Sequence, residues 1–127
     1  MEKKEKKSLI QTYISAYNTF DIKCMLSVLD PDIEFSNISD GEETAKASGL
    51  EEFENLAKQS VNLFSSREQK IEAMEIQDSK IIVTIAYSGV LASDMPNGLK
   101  AGQSIELRGM SEFKFKAGKI SSITDRA

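Results

Sequence analysis

The first third of the chain contains two stretches in which apolar residues recur at helical spacing. Within residues 9–17 they fall at positions i, i+1, i+4, i+5 and i+8, which places them on one face of an amphipathic helix. Asp21 is a suitable N-cap for a second, shorter helix whose apolar stripe covers residues 22–29. Asp30-Pro31 is expected to end that helix, because proline cannot continue it. The pattern therefore predicts a helix pair at the start of the chain.

A third helix is predicted near the middle of the chain. Ser48-Gly49-Leu50-Glu51 matches the capping-box pattern S-x-x-E, in which the serine and the glutamate satisfy each other's free backbone N–H groups. Behind it, apolar or small residues from position 53 to position 64 hold the spacing i, i+3, i+4, i+7, i+8 and i+11. This spacing is typical of a helix that buries one face.

The remaining pattern has a period of two and predicts strands. Ile33 and Phe35 alternate with polar residues, which indicates a short strand before a polar stretch over residues 39–47 that we interpret as a loop around Asp40-Gly41. After Ser65 the period changes from 3.6 to two. The predicted elements are strands over residues 67–76, 80–91, 105–115 and 120–125, a turn at 77–79, a loop from Met95-Pro96-Asn97-Gly98 to Gly102, and a hairpin connection at 116–118.

This order of elements predicts an α+β fold in one domain spanning residues 1–127. Strands joined by short turns pair antiparallel, so the last four strands are expected to form a curved meander sheet with the helices covering one face. The composition fits a globular chain, since 40% of the 127 residues are hydrophobic and 28% are charged.

Charge and residue content exclude several kinds of chemistry. The formal net charge is −4, and an acidic surface repels a phosphate backbone, so we expect no nucleic-acid partner. No stretch resembles a signal peptide or a membrane span, and the single cysteine, Cys24, fits a reducing compartment, so a cytoplasmic location is expected. Without histidine, a zinc site or a histidine-based triad is not available, and no metal or cofactor is expected.

Three stretches together resemble the nuclear transport factor 2-like superfamily, specifically its SnoaL-like polyketide cyclase and ketosteroid isomerase branch. They are residues 13–32 (Y-I-x-A-Y-N-x-F-D-I-x-x-M-L-x-V-L-D-P-D), Gly49-Leu50-Glu51-Glu52-Phe53, and residues 104–125, in which I-E-L-R-G leads through F-K-F to G-K-I. The resemblance implies a cone: a strongly curved, mainly antiparallel sheet wrapped around three N-terminal helices, as in cystatin-like folds. It also implies an apolar pocket for a small hydrophobic ligand and a homodimer formed through the sheet.

The resemblance gives an isomerase role to three positions of this chain. At two of them, this chain has another residue in place of the acid found in the isomerases. Tyr13 falls where the isomerases place a tyrosine that holds the oxyanion, although a tyrosine on an apolar helix face is most often a packing residue. The proton-shuttling aspartate falls on Asn37, and an amide cannot accept a proton from carbon. The second, proton-holding acid falls on Ser111. Asp40 could replace the shuttle only if its loop folds inward, and a turn-stabilising role suits its Asp-Gly setting better.

Asp125 is the predicted general base. SnoaL-like proteins often have a pocket aspartate at this position, and an apolar pocket raises the pKa of a carboxylic acid toward neutral pH. The alternative is an aspartate in solvent or paired with Arg126 or Arg108. The predicted ligand-binding residues are Tyr17, Asn37, Met74, Tyr87 and Ser111. Two functions remain open at this point: a cofactor-free isomerase or cyclase that removes a proton next to a carbonyl, and a non-catalytic ligand-binding or dimerisation module.

Overall fold

A computed structural model describes residues 1–96 and 98–127, so Asn97 of the predicted loop lies outside the described residues. The helices are α1 (Lys3–Asn18), α2 (Ile22–Ser27) and α3 (Leu50–Leu63). The strands are β1 (Leu29–Ser39), β2 (Glu42–Ser48), β3 (Phe64–Ile76), β4 (Ile81–Leu91), β5 (Ser104–Lys116) and β6 (Lys119–Arg126).

The strands form one curved, unclosed sheet in the order β2-β1-β6-β5-β4-β3. The predicted meander from β3 to β6 is confirmed, with antiparallel pairing at every step. β1 pairs antiparallel with β2 but parallel with β6, so the sheet is mixed. Register shifts interrupt β1, β3 and β5, and such bulges bend a strand and increase its twist. The α+β class and the curved, mainly antiparallel sheet are therefore confirmed.

The helices bury their apolar faces on the concave side of the sheet. Ile10, Tyr13 and Ile14 of α1 are buried, as are Phe53 and Ala57 of α3. The largest fully buried side chains on the sheet come from the inward-facing positions of its strands, namely Ile33, Ile81, Val83, Leu91, Phe113, Ile120 and Ile123. This core fills one end of the concave face and leaves the other end open.

The predicted loop over residues 39–47 was wrong, because most of it is strand β2. Ser39 pairs with Glu42 across a two-residue turn in which Asp40 has φ of 52° and Gly41 has φ of 80°, the geometry of a type I′ hairpin. β2 is an edge strand with only Ala47 buried, so it lacks the apolar alternation that identifies a strand in a sequence. Asp40 is exposed at this turn and does not reach the concave face.

Two helix boundaries also differ from the predictions, while the Asp21 cap is confirmed by its bond from the Cys24 N–H at 3.1 Å. The second helix ends at Ser27, and Leu29 already belongs to β1, because the parallel pairing with Ile120 of β6 fixes this segment as a strand. Ser48 does not form a capping box.

Ser48 is instead the last residue of β2, and Gly49, with φ of 85°, occupies the N-cap position of α3. The Ser48 hydroxyl donates to Glu34 at 2.8 Å, and its backbone N–H donates to Glu52 at 2.9 Å. The glutamate that serves the helix start is therefore one residue later than the capping-box pattern requires.

Candidate functional site

A cavity of about 620 Å³ lies between the concave face of the sheet and the helices α1 and α3. Its walls are largely apolar, which is typical of small-molecule sites of this size. The polar side chains on the wall come from both ends of the cavity. They are Tyr13, Tyr17, Asn37, Thr44, Gln59, Ser60, Gln69, Tyr87, Arg108, Ser111, Asp125 and Arg126.

Three of the predicted site residues form a row across neighbouring strands. Asp125 of β6 is in register with Asn37 of β1 on one side and with Ser111 of β5 on the other. All three line the cavity. The resemblance placed the isomerase's two missing acids at Asn37 and Ser111, and the fold brings these positions to either side of Asp125.

Asp125 lies on the cavity wall, and its carboxyl group is hydrogen-bonded and has a raised pKa. The Ser111 hydroxyl donates a hydrogen bond of 2.6 Å to its Oδ1 atom. Burial raises the pKa of Asp125 to about 6, although the bond from Ser111 acts in the opposite direction. Among the described residues, Arg126 pairs instead with Glu112 at 3.5 Å and Arg108 pairs with Glu72 at 3.3 Å. The alternative of an arginine-paired Asp125 is therefore not what the structure shows.

Tyr13 is buried beside this row, with only 4% of its surface exposed. Its ring packs against Phe113 and Phe53, with centroids 6.0 and 6.3 Å away. Burial raises the pKa of Tyr13 well above the ordinary value, and the nearby Asp125 carboxylate raises it further. The phenol therefore stays protonated and remains a hydrogen-bond donor across the physiological pH range.

Asn37 is fixed by the hairpin that the sequence did not reveal. Its Nδ2 atom donates to the Thr44 hydroxyl at 2.8 Å, and Thr44 and Ala45 of β2 complete this side of the cavity. The Asp40-Gly41 pair could have predicted the hairpin that brings β2 to the cavity, since Asp-Gly between two extended segments is a strong hairpin signal.

The opposite end of the cavity contains a pair of tyrosines. The Tyr17 and Tyr87 hydroxyls lie 2.8 Å apart, in hydrogen-bond contact, and both residues line the cavity. The Tyr87 ring also packs edge-on against Phe64, with centroids 5.9 Å apart. Burial raises the pKa of Tyr87, and the neighbouring Tyr17 raises it further, so this hydroxyl also stays protonated.

Arg67 contacts Tyr17 of this pair, and the sequence did not predict this role for it. It is 5% exposed, and its guanidinium lies 3.6 Å from the centroid of the Tyr17 ring and 4.6 Å from that of Phe20. Its Nε donates to the backbone carbonyl of Tyr17 at 2.9 Å and its Nη1 to Ser60 at 3.0 Å, while Nη2 has no partner among the described residues. It makes no ion pair with any acid in the described part of the chain.

Met74, the remaining predicted ligand-binding residue, does not line the cavity. It is half-buried and packs against the hydrophobic core. It pairs with Val83 on β4, in the part of the concave face that the core already fills.

In the part of the chain that the structure describes, no group of three or more cysteine or acidic side chains lies close enough together to bind a metal ion. No described helix is long and apolar enough to span a membrane. The polar side chains on the described cavity wall comprise one carboxyl group, three phenols, two guanidinium groups and a few hydroxyl and amide groups.

Solved structures share this architecture. A candidate polyketide cyclase from Xanthomonas campestris pv. campestris superimposes with a TM-score of 0.82 at 20% identity, over 98% of this chain and 90% of its own. A protein of ketosteroid isomerase-like fold from Catenulispora acidiphila gives 0.76 at 11% identity, covering 92% and 82%. An uncharacterised cystatin-fold protein from Novosphingobium aromaticivorans gives 0.75 at 14%, covering 93% and 94%.

No curated protein sequence matches the chain at a significant level. The model of the SnoaL-like domain matches residues 10–123, which is most of the chain and includes both tyrosines of α1 as well as the Ser111 strand. With the matching fold and the cavity in place, the chain belongs to the SnoaL-like domain family.

Proposed function

We propose that the cavity binds a small apolar ketone and that Asp125 removes a proton from the carbon next to its carbonyl group. The observation that supports this most directly is a single side-chain carboxyl group on the largely apolar wall formed by the described residues, with a pKa near 6 and no ion pair to any described cation. A base of that pKa is mostly ionised at neutral pH yet basic enough to accept a proton, which is the balance that general-base catalysis needs.

The proposed reaction has two proton transfers and needs no added reactant. The Asp125 carboxylate takes the proton from carbon, and the electron pair of the broken C–H bond moves to form an enolate. The enolate oxygen accepts a hydrogen bond from the neutral Tyr13 hydroxyl, which is stronger to this anion than to the starting ketone. The protonated Asp125 then returns the proton, to another carbon in an isomerisation or to the alkoxide formed when the enolate attacks a second carbonyl in a ring closure.

Ser111 and Asn37 have supporting roles in this proposal. The Ser111 hydroxyl orients one carboxylate oxygen, Oδ1, and leaves Oδ2 available for the substrate proton. Asn37 is held by Thr44 on the other side of Asp125 and offers an amide to a polar group of the ligand. Neither residue can exchange a proton with carbon at neutral pH, so the proposal places the whole transfer on one carboxyl group.

The test is the exchange of acidic hydrogens in deuterated buffer. 2-Acetylnaphthalene, an aryl methyl ketone, is incubated with the protein, and loss of its acetyl proton signal is followed by NMR. We expect exchange above the buffer rate for the wild type and at least a hundredfold loss for Asp125→Asn, the usual range for removing a general base. Asp78→Asn, at an exposed turn, serves as the matched control and should exchange at the wild-type rate.

The second candidate is a non-catalytic ligand-binding module, favoured by the replacement of both isomerase acids by Asn37 and Ser111. It predicts that the ketone binds and that exchange stays at the buffer rate in wild type and Asp125→Asn alike. That result would assign the cavity to binding alone.

A further inference from the structure

The Tyr17–Tyr87 pair has a hydrogen-bond donor that the protein does not use. Two phenols carry two O–H hydrogens, and their mutual contact at 2.8 Å uses one of them. The other has no acceptor among the described residues, although both side chains face the cavity. Because both side chains are half-buried and face the cavity, an oxygen atom of a ligand in the cavity can accept this hydrogen bond.

A second polar group stands beside the pair. Gln69 of β3 is in register with Tyr87 of β4 and also lines the cavity. The Asn18 side chain makes two hydrogen bonds to the Gln69 backbone: its Oδ1 accepts from the N–H at 2.7 Å, and its Nδ2 donates to the carbonyl at 3.1 Å. The side-chain amide of Gln69 has no hydrogen bond within the described chain. This part of the wall therefore presents an O–H donor together with an amide that can donate and accept.

These groups are rigidly placed. Arg67 is fixed to the backbone carbonyl of Tyr17 and stacks on its ring, and Asn18 joins the end of α1 to β3. The Phe20 ring also lies near the guanidinium, with its centroid 4.6 Å away. Its left-handed φ of 59° ends α1 in a Schellman motif, in which the Asp21 N–H donates to the Ala16 carbonyl at 2.8 Å and the Phe20 N–H donates to the Tyr17 carbonyl at 3.2 Å.

The tyrosine pair is well separated from the proposed base. Tyr87 is in register with Leu107 on β5, whereas Asp125 is in register with Ser111. These positions differ by four residues along β5, roughly 13 Å at the usual rise of a strand. Gly109 lies between them, and the Arg126 backbone packs closely against it, so that a Cβ at this position would collide with the Arg126 carbonyl oxygen.

We propose that the natural ligand carries oxygen functions at two separated positions, with the second oxygen bound by the Tyr17 and Tyr87 hydroxyls and the Gln69 amide. This rests on the proposed function for the first oxygen, the ketone beside Asp125 and Tyr13. The ligand class is therefore a largely apolar molecule with a ketone at one end and a hydroxyl or second carbonyl at the other, rather than a simple ketone.

The test compares two probes that differ by one hydroxyl group, 2-acetylnaphthalene and 6-acetyl-2-naphthol, by isothermal titration calorimetry. For the wild type we expect the hydroxyl to strengthen binding about tenfold, equivalent to about 1.4 kcal/mol. The double variant Tyr17→Phe/Tyr87→Phe keeps the ring packing and should reduce this gain to less than twofold, whereas either single variant still leaves one phenol O–H for the ligand. Tyr13→Phe, the matched tyrosine control at the other end, should weaken both probes by a similar factor and preserve the difference between them.

Equal affinities of the wild type for the two probes would overturn the second oxygen site, as would equal weakening of both probes by the double variant Tyr17→Phe/Tyr87→Phe. Binding of neither probe would overturn this inference and the proposed function together. If the hydroxyl-dependent difference is found while the acetyl protons do not exchange, the second oxygen site stands and the catalytic proposal fails.

Discussion

The two ends of the cavity hold their polar groups in different chemical states. At one end, Asp125 has a pKa of about 6 and a single short bond from Ser111, so its charge changes near neutral pH. At the other end, burial raises the pKa of Tyr87, so its hydroxyl stays neutral, and it is hydrogen-bonded to the hydroxyl of Tyr17, whose ring stacks on the Arg67 guanidinium. The first arrangement suits proton transfer, and the second suits fixed recognition of a neutral oxygen.

The comparison also separates the sources of stability. The core near Phe113 and Ile123 is apolar and adjoins Asp125, where ionisation in a buried position opposes folding. The tyrosine end relies on the guanidinium of Arg67, which joins α1, α3 and β3 through its hydrogen bonds. Polar groups therefore weaken one end of the cavity and reinforce the other.

The largest expected effect is a loss of stability at the tyrosine end of the cavity. Arg67→Met removes two hydrogen bonds from a buried cation, and each such bond contributes about 1.5–3 kcal/mol. Relief of the desolvation of Arg67 offsets part of this loss, so we expect a fall of about 3 kcal/mol in the free energy of unfolding, measured by urea titration.

Arg108→Met is the matched control. Arg108 pairs with Glu72, but its side chain is 77% exposed, and exposed ion pairs contribute little. Its free energy of unfolding should change by less than about 0.5 kcal/mol. If Arg67→Met were as stable as this control, the buried guanidinium would not be what holds the tyrosine end.

The second effect concerns the stability of the Asp125 end. Because the folded-state pKa of Asp125, about 6, is higher than its ordinary value of 3.8, the native state binds the proton more tightly than the unfolded state. The wild type should therefore lose stability as the pH rises from about 4 to about 6 and stay at that lower level above it.

Asp125→Asn removes this ionisation and retains an acceptor for Ser111. We expect the variant to be more stable than the wild type by about 3 kcal/mol at pH 8 and nearly equal to it near pH 4, in urea titrations at both values. Equal stability at both pH values would show that Asp125 is not destabilised by burial.

The smallest expected effect tests how Ser111 acts on the pKa of Asp125. Ser111→Ala removes the bond that favours the ionised carboxyl group, so the pKa of Asp125 should rise further, by about one unit. The midpoint of the exchange rate against pH should move up by the same amount, with the rate recovering at higher pH. Ser36→Ala, which removes a hydroxyl–carboxylate bond of 2.7 Å to Glu43 on the exposed hairpin, should leave the midpoint unchanged.

Local patterning was sufficient for much of the fold. The helical stripes of α1 and α3 and the period of two in β3 to β6 reflect one-sided burial, which a sequence records directly. β2 was missed because an exposed edge strand has no buried face to record. The parallel pairing of β1 with β6 joins segments about 90 residues apart in the chain, and no local pattern specifies such a contact.

Only part of the candidate site could be predicted from the sequence, for a related reason. Tyr13, Asn37, Ser111 and Asp125 came from family resemblance, and their arrangement in or beside one row depends on strand register. Arg67 was interpreted as an ordinary strand residue, because its burial arises only when Tyr17 and Phe20 close over it.

The most direct test of the account is an NMR titration of the Asp125 carboxyl carbon in protein labelled with ¹³C at aspartate, assigned by comparison with Asp125→Asn. We predict that this resonance titrates with an apparent pKa of about 6 and that the acetyl exchange rate rises with pH along the same curve. A resonance that titrates near 4, or an exchange rate that does not follow it, would contradict the assignment of Asp125 as the buried base.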